Sequence, residues 1–360
     1  MRSRHLSNTN KSLEYTRMGY TFIDLFAGIG GFRLALEELG GNCVFSSEWD
    51  RRSQSTYFKN FGEVPFGDIT KISAEEIPEH DVLCAGFPCQ AFSISGKRQG
   101  FSDTRGTLFF EIARIVKHHK PKVLFLENVK NFARHDGGKT LDVVLKTLDE
   151  LGYRVNYRVL RSSDYGVPQA RERIYFVAFR KDLKTNEFVF PIPIKRHKVV
   201  EDILEPEPVA LENYIKRKDM KVSKKREVLD PRRPKQIGTI NKGGQGERIY
   251  SIEAAGITLS AHGGGAASKT GAYYINGKVR KLTPRECARM QGFPESYVLP
   301  DTRAMAYKQY GDSVSVPVLR AIFEQTLIAY PGLAKRNLKK IAAKSKKISP
   351  LSLNLTYQNE

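Results

Sequence analysis

Cys89 stands in Gly86-Phe87-Pro88-Cys89-Gln90, a tight proline-containing turn just beyond the apolar run Val82–Ala85. A thiolate is the strongest common side-chain nucleophile near neutral pH, and position and nearby cations can activate it. A lone cysteine in such a turn is more often structural, so the residue needs companions. Glu127, in Glu127-Asn128-Val129, ends another apolar run, Val123–Leu126, and carries a carboxyl to the same level. Half-buried near a thiol, that carboxyl can have a raised pKa and act as an acid. Gln169-Ala170-Arg171-Glu172-Arg173 places two guanidiniums on alternate residues entering a strand. Facing one cleft they suit a base oxygen or a phosphate; facing solvent they are ordinary surface charges.

A glycine loop supplies a second kind of site. Thr21–Phe26 is followed by Gly28-x-Gly30-Gly31 and then by Leu34, Leu36 and Leu39 at helical spacing. This is most of a dinucleotide fingerprint, but the third glycine falls at Arg33, which disfavours a nicotinamide oxidoreductase. Glu48, 20 residues after Gly28, sits where an acid binds ribose hydroxyls. An adenosine cofactor without a pyrophosphate fits this pattern, S-adenosylmethionine being the commonest. Trp49, the only tryptophan, can stack on the adenine, and Asp68, read as following a third strand, can accept its amino protons. The plainer alternative is a glycine turn beside a core tryptophan.

The elements that must position these groups are strands alternating with helices. Apolar runs at Cys43–Ser47, Val82–Ala85, Val123–Leu126, Tyr153–Leu160 and Ile174–Phe179 have strand length. Leu108–Val116 and roughly Lys139–Leu151 have helical periodicity. The pattern predicts an α/β fold with a mostly parallel, doubly wound sheet whose ligands bind beyond the C-terminal strand ends. After Phe190 proline and then glycine become dense, so 191–283 reads as a smaller, irregular β-rich domain. A helical stripe of Leu319, Ile322, Phe323, Thr326, Leu327 and Tyr330 needs a sheet to pack on, so the chain is expected to return to the first domain.

The chain has 360 residues, 40% hydrophobic and 10% aromatic, with net charge +20, which excludes wholesale disorder. No apolar stretch is long enough to span a membrane, and the first residues lack the apolar core of a secretory signal. Four cysteines without a C-x-x-C argue against a disulfide scaffold or a zinc finger and suit a reduced compartment. Residues 331–360 hold seven basic residues against one acid, and Lys216–Lys235 holds ten against three. The terminal run alone reads as solvated surface; a basic body with an internal basic run points to nucleic acid.

Taken in order, Phe26-x-Gly28-x-Gly30-Gly31, Pro88-Cys89-Gln90, Glu127-Asn128-Val129 and Gln169-x-Arg171-x-Arg173 resemble the motifs of the DNA (cytosine-5) methyltransferases. Leu282-Thr283-Pro284-Arg285-Glu286-Cys287 with Met290-Gln291-Gly292-Phe293-Pro294, and Tyr310-Gly311-Asp312-Ser313-Val314, resemble the family's last two motifs. The resemblance covers about 20–330 and leaves both basic ends outside. It implies an S-adenosylmethionine-dependent, Rossmann-like domain at 1–190 continued by 305–335, a target-recognition domain at 191–283, a hinge at 284–304 and a basic tail at 336–360. It implies catalytic roles for Cys89, Glu127, Arg171 and Arg173, in which Cys89 attacks C6 of a flipped cytosine, Glu127 engages N3 and Arg173 holds O2. Cofactor contacts would come from Phe26, Gly28, Gly30, Gly31, Glu48, Trp49, Asp68, Ile69, Pro88, Leu108, Asp312 and Ser313. Duplex-DNA contacts would come from Ser95 on a mobile loop, from Gln245 and Arg248, and from Thr258, Gly263, Gly264 and Gly265. The implied enzyme is a cytoplasmic bacterial monomer acting on GCGC or a related site, without metal or membrane. Its restriction endonuclease would be a genetic rather than a physical partner.

Two departures stand out. Asp312 replaces the family's usual asparagine, and His262 stands where a close family member carries tyrosine. The first is expected to weaken cofactor binding and the second bears on the recognition sequence. An RNA cytosine-5 methyltransferase and a non-catalytic DNA-binding regulator are the alternatives. The long segment containing Gly243-Gly244-Gln245-Gly246-Glu247-Arg248 favours duplex DNA, and the intact Cys89, Glu127 and Arg173 favour catalysis.

Overall fold

Strand-length apolar runs with both faces buried can only be central strands, and in a computed structural model they are. The structure describes residues 19–88, 108–223 and 227–335. β1 (Tyr20–Leu25), β2 (Gly41–Ser47), β3 (Val82–Gly86), β4 (Val123–Val129), β5 (Tyr153–Arg161) and β6 (Glu172–Arg180) form one sheet in the order β2-β1-β3-β4-β6-β5. Alternate strand residues feed opposite layers. Phe22, Cys84, Phe125 and Val177 pack with Leu36 of α1 (Gly31–Glu37) and with Leu319 and Phe323 of α7 (Val316–Ala329). Ile23, Leu83, Leu124 and Phe176 pack with Ile112 of α3 (Leu108–His119) and with Val144 and Leu148 of α4 (Lys139–Glu150). The terminal helical stripe therefore does return to this sheet.

The sheet departs from a parallel series at one place. β6 runs antiparallel between β4 and β5, because the short connection 162–171 has no room for the crossover helix that parallel pairing requires. A second departure concerns Asp68: what precedes it is a single bridge, Ser47 to Phe66, rather than a strand. Cys89 accordingly follows the third strand of the chain, and Glu127 lies near the end of the fourth.

A second sheet has the order β11-β10-β9-β8-β7, built from β7 (Met220–Val222), β8 (Gln236–Ile240), β9 (Arg248–Tyr250), β10 (Ala272–Ile275) and β11 (Lys278–Lys281). Only β9 and β10 pair in parallel. Asn276 and Gly277, with φ of 48° and 83°, close the β10–β11 hairpin in the left-handed region that two-residue turns favour. A small core of Ile237, Ile240, Ile249, Ala272 and Val279 lies beneath it. Segment 284–304 contains α5 (Pro284–Gln291), opened by a Thr283–Glu286 capping box with Pro284 in the first turn. α6 (Arg303–Asp312) then runs through Gly311 and Asp312. Among the described residues no helix is long and apolar enough to cross a membrane.

Candidate active site

The C-terminal ends of β1, β3 and β4 open into a cleft of about 940 Å³. Its floor at the β1 end is a turn in which Phe26, Gly28 and Gly30 all adopt positive φ (56°, 56° and 82°). Such backbone is costly at Phe26 and marks a turn held by its surroundings. Gly28 N donates to Glu48 Oε2 at 2.9 Å, and Asp50 N to Glu48 Oε1 at 2.8 Å. Burial raises the Glu48 pKa, against the pull of these N–H groups. A Cβ at Gly28 would meet nothing within 4 Å among the described residues, so the cleft comes right up to this backbone. A Cβ at Gly31 would stand 2.4 Å from Val314 Cγ2, so glycine lets the segment after α6 close over α1. Arg33, in place of a third glycine, points its guanidinium at Tyr57, Glu37 and Glu63 instead.

Trp49 is 79% exposed, a bare indole on the cleft wall rather than a core residue. Asp68 caps a short turn by accepting from Thr70 N (3.0 Å) and Thr70 Oγ1 (2.8 Å), bonds that lower its pKa. Both are made by Oδ1. Ile69, Pro88, Leu108, Asp312 and Ser313 also line the cleft. A flat aromatic face to stack on, an acid beside the glycine turn and a carboxylate whose second oxygen has no partner among the described residues are the stacking and accepting groups that suit an adenosine.

At the other end of the cleft, β3 and β4 pair so that Gly86 lies beside Glu127. Asn128 Nδ2 donates to Phe87 O at 2.9 Å and fixes the turn leading to Pro88. Cys89 and Ser95 lie outside the described residues. The antiparallel β6 sets Arg173 opposite Val129, and Arg173 Nε comes within 3.1 Å of Glu127 Oε1. The pair is not aligned as a hydrogen bond, which leaves that buried oxygen without a hydrogen-bond partner among the described residues. Burial raises the Glu127 pKa, with Arg173 and then Arg171 pulling it back. Arg171 also lines the cleft, but its Nη atoms are committed to backbone carbonyls of Leu259, Gly311 and Ser313.

Gln245, on the turn between β8 and β9, and Arg248, the first residue of β9, are exposed beside the exposed loop Gly263–Gly265. Backbones meet there: a Cβ at Gly246 would stand 2.1 Å from Gly264 O, and one at Gly265 2.7 Å from Gly246 O. Close approach, not loop flexibility, accounts for these glycines. Thr258 is turned inward, its Oγ1 donating to Ala170 O at 3.1 Å. His262 reaches from this loop to the cleft wall. Among the described residues no group of three His, Cys, Asp or Glu is placed to hold a metal ion.

Lys308 is a cleft residue that sequence reasoning missed. Its Nζ lies 3.2 Å from Asp312 Oδ2 and 3.3 Å from Asp50 Oδ2. Its i,i+4 spacing to Asp312 was the available signal.

Residues 20–327 match the family model of the C-5 cytosine-specific DNA methylases. The Type II methyltransferase M.HhaI of Haemophilus parahaemolyticus is 55% identical over 306 residues, which cover 84% of this chain and 93% of the relative. The Type II methyltransferase M.HpaII of Haemophilus parainfluenzae is 45% identical over 329 residues, covering 86% and 90%. The crystal structure of S. pombe Dnmt2 methyltransferase superposes with a TM-score of 0.67 at 20% identity, covering 86% of this chain and 98% of that one, a likeness of fold alone.

Proposed function

The chain belongs to the C-5 cytosine-specific DNA methylases, and from that premise we propose how its residues divide the work. It is a DNA (cytosine-5) methyltransferase; the assignments that follow are ours. The cofactor is S-adenosylmethionine, held by the Phe26–Gly31 turn, Glu48, Trp49, Asp68 and Ser313. It supplies the electrophilic methyl group. Residues 191–283 are the target-recognition part, in which Gln245, Arg248 and the Thr258–Gly265 loop face duplex DNA, with GCGC or a related sequence as the site. Arg248 suits a bidentate contact to guanine in the major groove. A monomer paired genetically with a restriction nuclease, in a bacterial cytoplasm, completes the reading.

C5 of cytosine is a weak nucleophile, and both faces of the ring are covered in the stack, so the base must leave the duplex. The Cys89 thiolate adds to C6, Glu127 gives a proton to N3, and the C5–C6 electron pair becomes enamine-like. C5 then accepts the methyl group. Transfer of the C5 proton to solvent water restores the C5–C6 double bond as the C6–S bond breaks and its electron pair leaves with the thiolate, and N3 returns its proton to Glu127. Arg173 keeps Glu127 in place and presents donors to O2. The observation that carries this reading is the buried Glu127 oxygen at the cleft, which has no hydrogen-bond partner among the described residues. Duplex DNA containing 5-fluorocytosine tests it, since fluorine at C5 blocks the final elimination. A covalent adduct is expected with the wild type and S-adenosylmethionine, and none with Cys89→Ser; no adduct on any cytosine-containing duplex would sink the mechanism.

The Asp312 departure has a local answer. Its added charge is shared with Lys308, and both side chains are about half exposed (53% and 42%). Exposed pairs of this kind contribute about 0.2–1 kcal/mol. Asp312→Asn is therefore expected to tighten binding of S-adenosylhomocysteine by no more than about fivefold, read by calorimetry. Lys308→Met, which leaves Asp50 and Asp312 unneutralised, should weaken it. Tighter binding by Lys308→Met would refute this account of the charge.

A further inference from the structure

Between the two halves of the site lies a buried polar cluster that the chemical steps do not use. Gln169 and Gln291 are fully buried and Arg171 is 2% exposed. Leu259, in the loop leading to Gly263–Gly265, is grasped by both ends of its backbone. Its N–H donates to Gln169 Oε1 at 3.0 Å, and its carbonyl accepts from Arg171 Nη1 at 3.2 Å. The same guanidinium crosses to the end of α6, donating to Gly311 O at 3.2 Å and to Ser313 O at 2.7 Å. Gln169 Nε2 donates to Gln291 Oε1 at 3.1 Å, and Gln291 Nε2 to Tyr310 O at 2.7 Å. The two loops also touch directly, since a Cβ at Gly311 would stand 2.3 Å from both Ala261 N and Ser260 C.

A guanidinium this deep, with no carboxylate ion-paired to it among the described residues, is an expensive way to fill space. Burial, and then the neighbouring Arg173, pull its pKa down to about 9. Carbonyls drawn from two separate loops replace its water, and they do so only while both loops stay in register. Moving either loop strips the buried charge of its partners, so the two positions are energetically tied.

Resting on the reading that Thr258–Gly265 meets DNA and Asp312–Ser313 meets the cofactor, we propose that Gln169 and Arg171 are positioning residues that couple the two substrates. Arrival of either substrate orders the site of the other, and thermodynamic linkage makes the effect reciprocal. Trp49, alone of its kind and bare in the cleft, reports binding by quenching of its fluorescence. The coupling factor is the ratio of S-adenosylhomocysteine Kd without and with a GCGC duplex.

The wild type should give a factor of about ten or more. Arg171→Lys replaces the forked guanidinium by a single amine that spans fewer carbonyls, and should bring the factor below about three while shifting the DNA-free Kd by less than about threefold. Gln169→Met, similar in size but unable to accept from Leu259 N–H, should move it the same way and stands in if Arg171→Lys does not fold. A residue that merely held the fold would change both Kd values alike and leave the ratio intact. A folded variant with the wild-type factor therefore overturns the coupling role. A wild type that binds neither S-adenosylhomocysteine nor the duplex overturns the functional reading beneath it instead.

Discussion

Glu127→Gln is expected to lower kcat by about 10²- to 10⁴-fold, the range for removing a positioned proton donor, with DNA affinity little changed. The amide is nearly isosteric and keeps a hydrogen-bonding group at the cleft, but it cannot supply the proton that N3 takes up as Cys89 adds to C6. Direction in pH follows from the environment. Burial raises the Glu127 pKa above the ordinary carboxylate range, and Arg173 only partly offsets it. The protonated form therefore persists to higher pH than for a free carboxyl, and the rate should fall as pH rises past that raised value. In Glu127→Gln this limb of the pH–rate profile should vanish along with most of the rate. A variant that keeps the wild-type kcat, or the wild-type limb, would remove Glu127 from the proton transfer. Trapping with 5-fluorocytosine locates the loss: a slow adduct assigns it to the addition step.

The sequence carried much of this because strand ends and glycine turns are local features. Val82–Gly86 and Val123–Val129 are near-continuous apolar runs, so the residues following them had to lie at one sheet edge. Trp49 is different: the sequence offers it as an adenine platform or, more plainly, as a core residue, and only the fold decides between them by leaving it 79% exposed. Direction of pairing was also hidden. The antiparallel course of β6 is set by the short connection before it, and that course is what lays Arg173 against Glu127. For Lys308 the i,i+4 spacing to Asp312 shows one partner, but its second, Asp50, is remote in sequence and adjacent only across the cleft. Charged residues in general read as surface, and this is where the sequence misleads most. Arg280 and Glu286 are both fully buried.

Breaking that pair should be the most damaging single change to stability. Arg280 donates to Glu286 through Nη1 and Nη2, each at 2.8 Å, and through Nε to Glu207 Oε1 at 2.8 Å. Glu286 in return accepts from Glu205 N and Thr283 N, both at 2.8 Å, and completes the cap of α5. β11 of the second sheet is thus fastened to the helix that leads the chain back to the first. Glu286→Ala strands a buried guanidinium beside its remaining partner Glu207, a loss of about 3–5 kcal/mol, with roughly 1 kcal/mol more from the cap. Against a total stability of about 5–15 kcal/mol this is a large fraction. Calorimetry should show Tm falling by on the order of 5–10 °C. Because desolvation costs both charges, the pair is less valuable than its rupture suggests. Arg280→Met with Glu286→Leu removes both charges together and should unfold at a higher temperature than Glu286→Ala alone. A double variant less stable than the single one would mean that the attraction within this pair outweighs the cost of burying it.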